Sequence, residues 1–203
     1  MPQRLQDRIN LLNRIAADAF RDAVEIMELI AMLEAGNKKT LMRKLRGKGA
    51  GRAGLLVRNA LFTRLHLYTA RAYTTPTRKD DLHLRRGFEL AEESDVRNYL
   101  KGRRSLPALV RAEKAWRACN ANSKLRSFMH FRHKLLAHWS DPGKDISLPT
   151  YGIVFEIARD TAKAMEKFAN ATGVVSLSLK SQMVVPKRGI AAFWKPWKTG
   201  VKS

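Results

Sequence analysis

Apolar residues recur at intervals of three and four through most of this chain, which is the period of an α-helix. Leu5, Ile9, Leu12, Ile15, Ala16, Ala19, Ala23, Ile26, Met27, Ile30 and Leu33 fall on one face and predict a long amphipathic helix over residues 3–34, stopped by Gly36-Asn37. A short basic segment follows from Lys38 to Arg46, then a glycine-rich link. A second helix is expected from about Arg52 to Tyr73, with Leu55, Leu56, Leu61, Leu65, Leu67 and Tyr68 on its apolar side and Thr74-Thr75-Pro76 as its breaker. Asp80 or Asp81 suits the cap of a third helix running to about Tyr99, because a short carboxylate accepts bonds from the free N–H groups of a first turn. Ser105-Leu106-Pro107 opens a fourth helix that extends to about Ala137, and Ser140-Asp141-Pro142-Gly143 is a turn. A fifth begins at Pro149 or Thr150 and lasts to about Thr172, with Ile153, Ile157, Ala164, Met165 and Phe168 lining its inner face. Beyond Gly173 the pattern weakens, so that residues 174–185 read as a short hairpin or an extended arm and 186–203 as a mobile basic tail. The expected fold class is all-α: an up-and-down bundle of about five helices over residues 1–172, with a basic, aromatic-containing C-terminal arm over 173–203.

Composition narrows the class. A chain of 203 residues that is 45% hydrophobic has enough material for a buried core and is not a disordered protein. No apolar run approaches the length of a bilayer span, and the first residues lack the apolar stretch of a signal peptide. The single cysteine, Cys119, excludes an intramolecular disulfide and a cysteine-based zinc site. A cytoplasmic location without a membrane partner is the expectation.

Charge changes the picture more. The formal net charge is +21, a property that bears on partners rather than on fold. Between Glu34 and Asp80 there is no acid, against twelve basic residues from Lys38 to Lys79, and after Glu166 there is none against seven from Lys167 to Lys202. Acid-free basic blocks of this length point to a polyanion as partner, RNA, DNA or an anionic membrane face, and favour nucleic acid over a solvated basic surface that only keeps the protein soluble.

The densest candidate chemistry lies in Phe131-Arg132-His133-Lys134-Leu135-Leu136-Ala137-His138-Trp139. On an ideal helix, at about 100° per residue, Leu125, Phe128, Met129, Leu135, Leu136 and Trp139 form one stripe. Arg132 falls on that stripe, one heptad after Leu125 and one before Trp139, so it is expected to face inward or toward a helix–helix interface. An unpaired buried guanidinium is expensive, so a chain that places one there pairs it or uses it. His138 lies six residues on, about 120° around the axis and about 9 Å along it, so one straight helix does not aim both groups at one point. Loosening near the following turn, or a second copy of the motif across a dimer interface, would bring them together. The chemistry suits RNA cleavage without a metal. A neutral imidazole takes the proton of a ribose 2′-OH, and a guanidinium binds and stabilises the phosphate that is attacked. Spacing alone decides little, since Arg78 to His83 and Arg126 to His133 show it too; only Arg132 to His138 joins an inward Arg to a helix end before a turn.

Arg132-His133-Lys134-Leu135-Leu136-Ala137-His138 resembles the signature of the HEPN superfamily, in which Arg, a polar residue and then a His follow one another at such a distance. The Arg-x-Lys-x-x-Ala-His form, the acidic turn and the Pro-Thr helix start resemble its abortive-infection, AbiU-like branch, over roughly residues 5–170. The long first helix and Tyr68-Thr69-Ala70-Arg71 are compatible with that branch. The resemblance implies a helical bundle, a homodimer with facing motifs, and in many members metal-independent endoribonuclease activity without a cofactor. It implies that Arg132 binds the scissile phosphate, that His138 is the acid/base and that His133 takes the supporting polar position, where Asn or Asp is commoner. Lys134, Arg126 and Arg71 are the candidate contacts to nucleic acid. Some members of the superfamily are non-catalytic binding modules of RNA or protein, and some are toxins held by a nucleotidyltransferase-type antitoxin.

Two other stretches stand out. Gly49-Ala50-Gly51-Arg52-Ala53-Gly54 matches G-x-G-x-x-G, but the preceding Lys38–Arg46 reads as basic and helical and not as a strand, so a link, with an anion contact at the next helix start, fits better than a dinucleotide site. Phe193-Trp194-Lys195-Pro196-Trp197-Lys198 mixes aromatic rings with cations and could stack on bases, sit at a membrane interface or pack on the bundle.

Overall fold

In a computed structural model, residues 3–75, 78, 81–103, 105–132 and 149–199 are described, the last three as backbone. The fold class is all-α, and among these residues there is no strand. The apolar stripe of the N-terminal segment becomes α1 (Gln3–Gly36), which buries Leu12, Ile15, Ile26, Ile30 and Leu33 almost completely. Its main partner is α8 (Tyr151–Thr172). There Thr150 caps the first turn by accepting from the Ile153 N–H, and Gly173, at φ 76°, ends the helix in a left-handed conformation that suits glycine. Between them in sequence come α2 (Lys39–Gly47), α3 (Gly51–Arg71), α4 (Leu84–Glu92), α5 (Ser94–Gly102), α6 (Leu106–Asn120) and α7 (Ser123–Phe131). α3 and α4 pack on α1, and α6 and α7 pack on α8. The core is one continuous cluster drawn from all of these except α2.

Two expected helices differ from what forms. The basic segment Lys38–Arg46 is helical as expected, and Leu41 and Leu45 at i and i+4 are buried and give it an apolar edge. The third helix is two, α4 and α5, parted at Glu93, whose ψ of 131° is extended. The cap expected from Asp80 or Asp81 is not made by Asp81, whose carboxylate accepts instead from the Arg78 N–H at 2.9 Å; Asp80 lies outside the described residues. The fourth helix is also two, α6 and α7, because Asn122 takes an extended conformation and caps α7. The count of about five is therefore too low: at Asn122 a short polar residue caps a new first turn within a continuous helical pattern, and at Glu93 the backbone turns extended without a side-chain cap. The apolar side assigned to α3 is partly wrong as well: Leu65 is buried, but Leu55, Leu56 and Leu67 are exposed.

The C-terminal stretch is helical where an arm was expected. Leu179 is buried in the short α9 (Leu179–Gln182), and α10 (Val184–Thr199) follows directly. Leu179, Met183, Ile190 and Trp194 share a helical period, and Pro186 sits in the first turn, where its missing N–H costs nothing. Trp194, 3% exposed, packs on Leu41 and Leu45 of α2. It also lies over Gly36, where an added Cβ would stand 2.8 Å from its ring. Of the three uses open to the aromatic stretch, Trp194 packs on the bundle, while the neighbouring Phe193 is exposed.

Candidate functional site

α7 delivers Arg132. Asn122 starts the helix by accepting from the Lys124 N–H at 3.0 Å, and Lys124 reaches Glu156 of α8 at 2.8 Å. Leu125 and Phe128 turn inward, as the stripe predicts. Arg132 prolongs the helical path by one residue, at φ −58° and ψ −48°. It is half-buried, and its Nε is shielded from solvent. The inward position expected of Arg132 is thus the observed one, one turn beyond Phe128.

The end of α7 is held by rings from three helices. Phe128 stacks on His66 of α3, with centroids 4.5 Å apart and planes within 10°. Phe131 lies 4.8 Å from the same imidazole and 6.2 Å from Phe62. Tyr151, the first residue of α8, lies 4.5 Å from Phe62. Arg58, one helical turn before Phe62, spreads over the Tyr151 ring at 5.8 Å and donates to its hydroxyl at 3.4 Å. Rings packed this way fix both position and tilt of the helix end that carries Arg132.

His66 is fully buried. Its Nδ1 lies 3.0 Å from the Phe62 carbonyl oxygen. A carbonyl only accepts, so Nδ1 carries the proton and Nε2 is the acceptor. That Nε2 is buried and has no hydrogen-bond partner among the described residues. Burial pushes the imidazole pKa down to about 4, against a smaller upward pull from the Phe62 carbonyl. His66 is therefore neutral near pH 7. His66 is a core residue, and its place beneath the Arg132 helix is a feature that helical periodicity does not reveal. The available signal was two aromatic pairs, Phe62/His66 at i,i+4 and Phe128/Phe131 at i,i+3, spaced to interlock on facing helices.

The other candidate residues separate. Arg126 is exposed on α7. Arg71 is not directed only at solvent: its guanidinium donates to Asp22 of α1 at 3.0 Å. His133, Lys134 and His138 lie outside the described residues. The glycine-rich link is preceded by α2, a helix, so the dinucleotide fingerprint lacks its strand here. Among the described residues no three His, Cys, Asp or Glu side chains gather as a metal site would require. No helix among them is long and apolar enough to cross a membrane.

The family model HEPN_AbiU2 matches residues 4–180, nearly the whole helical assembly from α1 to α9. No curated protein and no solved structure matches the chain. The match spans the segment that carries Arg132 and continues through α8, the helix against which α7 is tied. The chain therefore belongs to the AbiU2 family of HEPN domains.

Proposed function

We propose that this chain is a metal-independent endoribonuclease that acts in phage defence or as the toxin of a toxin–antitoxin pair. The observation that carries the reading is Arg132, half-buried at an aromatic-braced helix end, immediately before His133-Lys134-Leu135-Leu136-Ala137-His138 in a chain of the AbiU2 family. The net charge of +21 supports RNA as the substrate.

In this reaction the neutral imidazole of His138 takes the proton of a ribose 2′-OH. The 2′-oxygen attacks the adjacent phosphorus, the bond from phosphorus to the 5′-oxygen breaks, and a 2′,3′-cyclic phosphate remains. A protonated imidazole returns a proton to the departing 5′-oxygen. Arg132 holds two phosphate oxygens through parallel N–H bonds and stabilises the added charge of the transition state. His133 supports this pair, and Lys134 and Arg126 hold the flanking backbone. Because Arg132 and His138 do not meet on one straight helix, the active form is a homodimer in which two copies of the motif face one cleft. An antitoxin of nucleotidyltransferase type would act by covering that cleft.

Purified protein is expected to cleave single-stranded RNA in excess EDTA and to leave cyclic phosphate ends. Arg132→Ala and His138→Ala should each lower the rate by about 10²–10⁴-fold while leaving the circular dichroism spectrum unchanged. Unchanged cleavage in both variants would overturn the site. RNA binding without turnover in the unmodified chain would make it a binding module instead.

A further inference from the structure

α2 and the N-terminal part of α3 form a basic helical hairpin that leads up to the aromatic cluster. A cavity of about 460 Å³ opens between them, lined by Arg46, Gly49, Gly51, Arg52, Leu55 and Arg58. Gly49, at φ 72°, makes the tight turn that lets α3 start beside the end of α2. Arg46 lies so close to that start that an added Cβ on Gly51 would meet its Cγ at 3.0 Å. The residue before α3 is Ala50, which has no side-chain oxygen to cap the first-turn N–H groups.

The cations of α3 fall into two sets. Toward its C-terminal end, Arg64 pairs with Glu25 at 2.6 Å and Arg71 with Asp22 at 3.0 Å. Toward its N-terminal end the pattern stops: among the described residues no carboxylate pairs with Arg46, Arg52 or Arg58. The Arg58 Nε is shielded from solvent and has no hydrogen-bond partner among those residues. Acids like those that neutralise α3 about two and four turns beyond Arg58 are absent here among the described residues. From Glu34 to Asp80 the sequence supplies none.

A chain of side-chain contacts links the wall of this cavity to the candidate site. Arg52 and Arg58 are about 9 Å apart along the axis of α3, and Phe62 lies about 6 Å beyond. Arg58 touches Tyr151, which is 36% exposed, and Tyr151 touches Phe62, which packs against Phe131. Three guanidiniums thus line one notch, and Arg58 links it through Tyr151 and Phe62 to the helix end that carries Arg132, over the span of a few nucleotides.

We propose that the Arg46–Arg52–Arg58 notch is a phosphate-backbone site for single-stranded RNA, which it feeds toward Arg132. This rests on the RNA reading of the Arg132 site, but it concerns binding and not cleavage. The test measures fluorescence anisotropy of a labelled single-stranded RNA with the full chain carrying His138→Ala, so that turnover does not interfere. Arg46→Ala with Arg52→Ala changes two exposed side chains, and Lys180→Ala with Lys187→Ala removes the same charge from exposed positions on α9 and α10. The notch pair should weaken binding at least tenfold near 0.1 M salt and lower the slope of log K against log salt by about 1.4, two phosphates' worth. The control pair should change affinity less than threefold. Equal effects of the two pairs, or no binding of RNA by the chain at all, would overturn the proposal. Notch-dependent binding by a chain whose unmodified form never cleaves RNA would sink the nuclease reading and leave this one standing.

Discussion

His66 and Asp22 are both buried, ionisable and displaced in opposite ways. His66 sits among Phe62, Phe128 and Phe131 with its pKa pushed down to about 4. Asp22 is held by Arg71, yet burial outweighs that cation and pushes its carboxyl up to about 6. The unfolded chain binds a proton at His66 below about pH 6.5 that the folded chain refuses, so this residue's contribution is whole above pH 6.5 and is lost toward pH 4. For Asp22 the folded chain keeps a proton that the unfolded chain releases near pH 4, so that contribution is whole below about 3.8 and lost as pH rises through 6. Each shift is worth at most about 3 kcal/mol, and over pH 4–6 the two slopes oppose each other. Unfolding free energy should therefore be nearly flat there. In Asp22→Asn the His66 slope should be unmasked, with stability rising by about 2 kcal/mol from pH 4 to 6.5 in urea titrations. A profile that stays flat in Asp22→Asn would mean that His66 is not held neutral by its burial.

At the scale of elements, the site depends on how closely α1, α4 and α8 approach. Gly87 lies inside α4, where glycine costs about 1 kcal/mol relative to alanine. A Cβ there would stand 2.4 Å from the Phe168 ring of α8 and 3.0 Å from Ile15 of α1. Overpacking of that severity outweighs the gain in helix propensity. Gly87→Ala should lower stability by about 1–3 kcal/mol, read from the urea midpoint at unchanged slope. An increase in stability would mean that the helices separate freely, and that α8 does not hold α7 in a rigid frame. The docking of α10 works through the same device in reverse: at Gly36 the missing side chain leaves room for the Trp194 ring.

At the scale of the whole molecule, the proposed reaction needs two copies of the motif. Cleavage per protomer should then fall on dilution below the dimer dissociation constant, in step with the loss of dimer in analytical ultracentrifugation. A rate per protomer that holds constant through that transition would place a complete site in one chain. This prediction belongs to the assembly because an ideal helix would set residues six apart about 120° from one another around its axis.

Much of the molecule was legible in its residues. Period 3.6 alone determined that the chain is helical, that α1 and α8 are long and apolar-faced, and that Arg132 lies on the inward stripe of its helix. These are local consequences of which positions must leave water. Tertiary structure alone decided the breaks at Glu93 and Asn122: Asn122 is a short polar residue that suits a cap as well as a helix interior, and Glu93 turns extended with no side-chain cap to mark it in the sequence. It also decided that Leu55 and Leu56 stay exposed while His66 is buried, since α3 turns its His66 face toward the rings of α7. The C-terminal helix was unread because Trp194 needs a surface made by α1 and α2, far away in sequence. The same holds for charge. Sequence determined where acids are missing, but only the packed helices show that Arg64 and Arg71 find Glu25 and Asp22 while Arg46, Arg52 and Arg58 share one notch. Helical period is written residue by residue; which cations are neutralised depends on which helix faces which, and that is settled by packing.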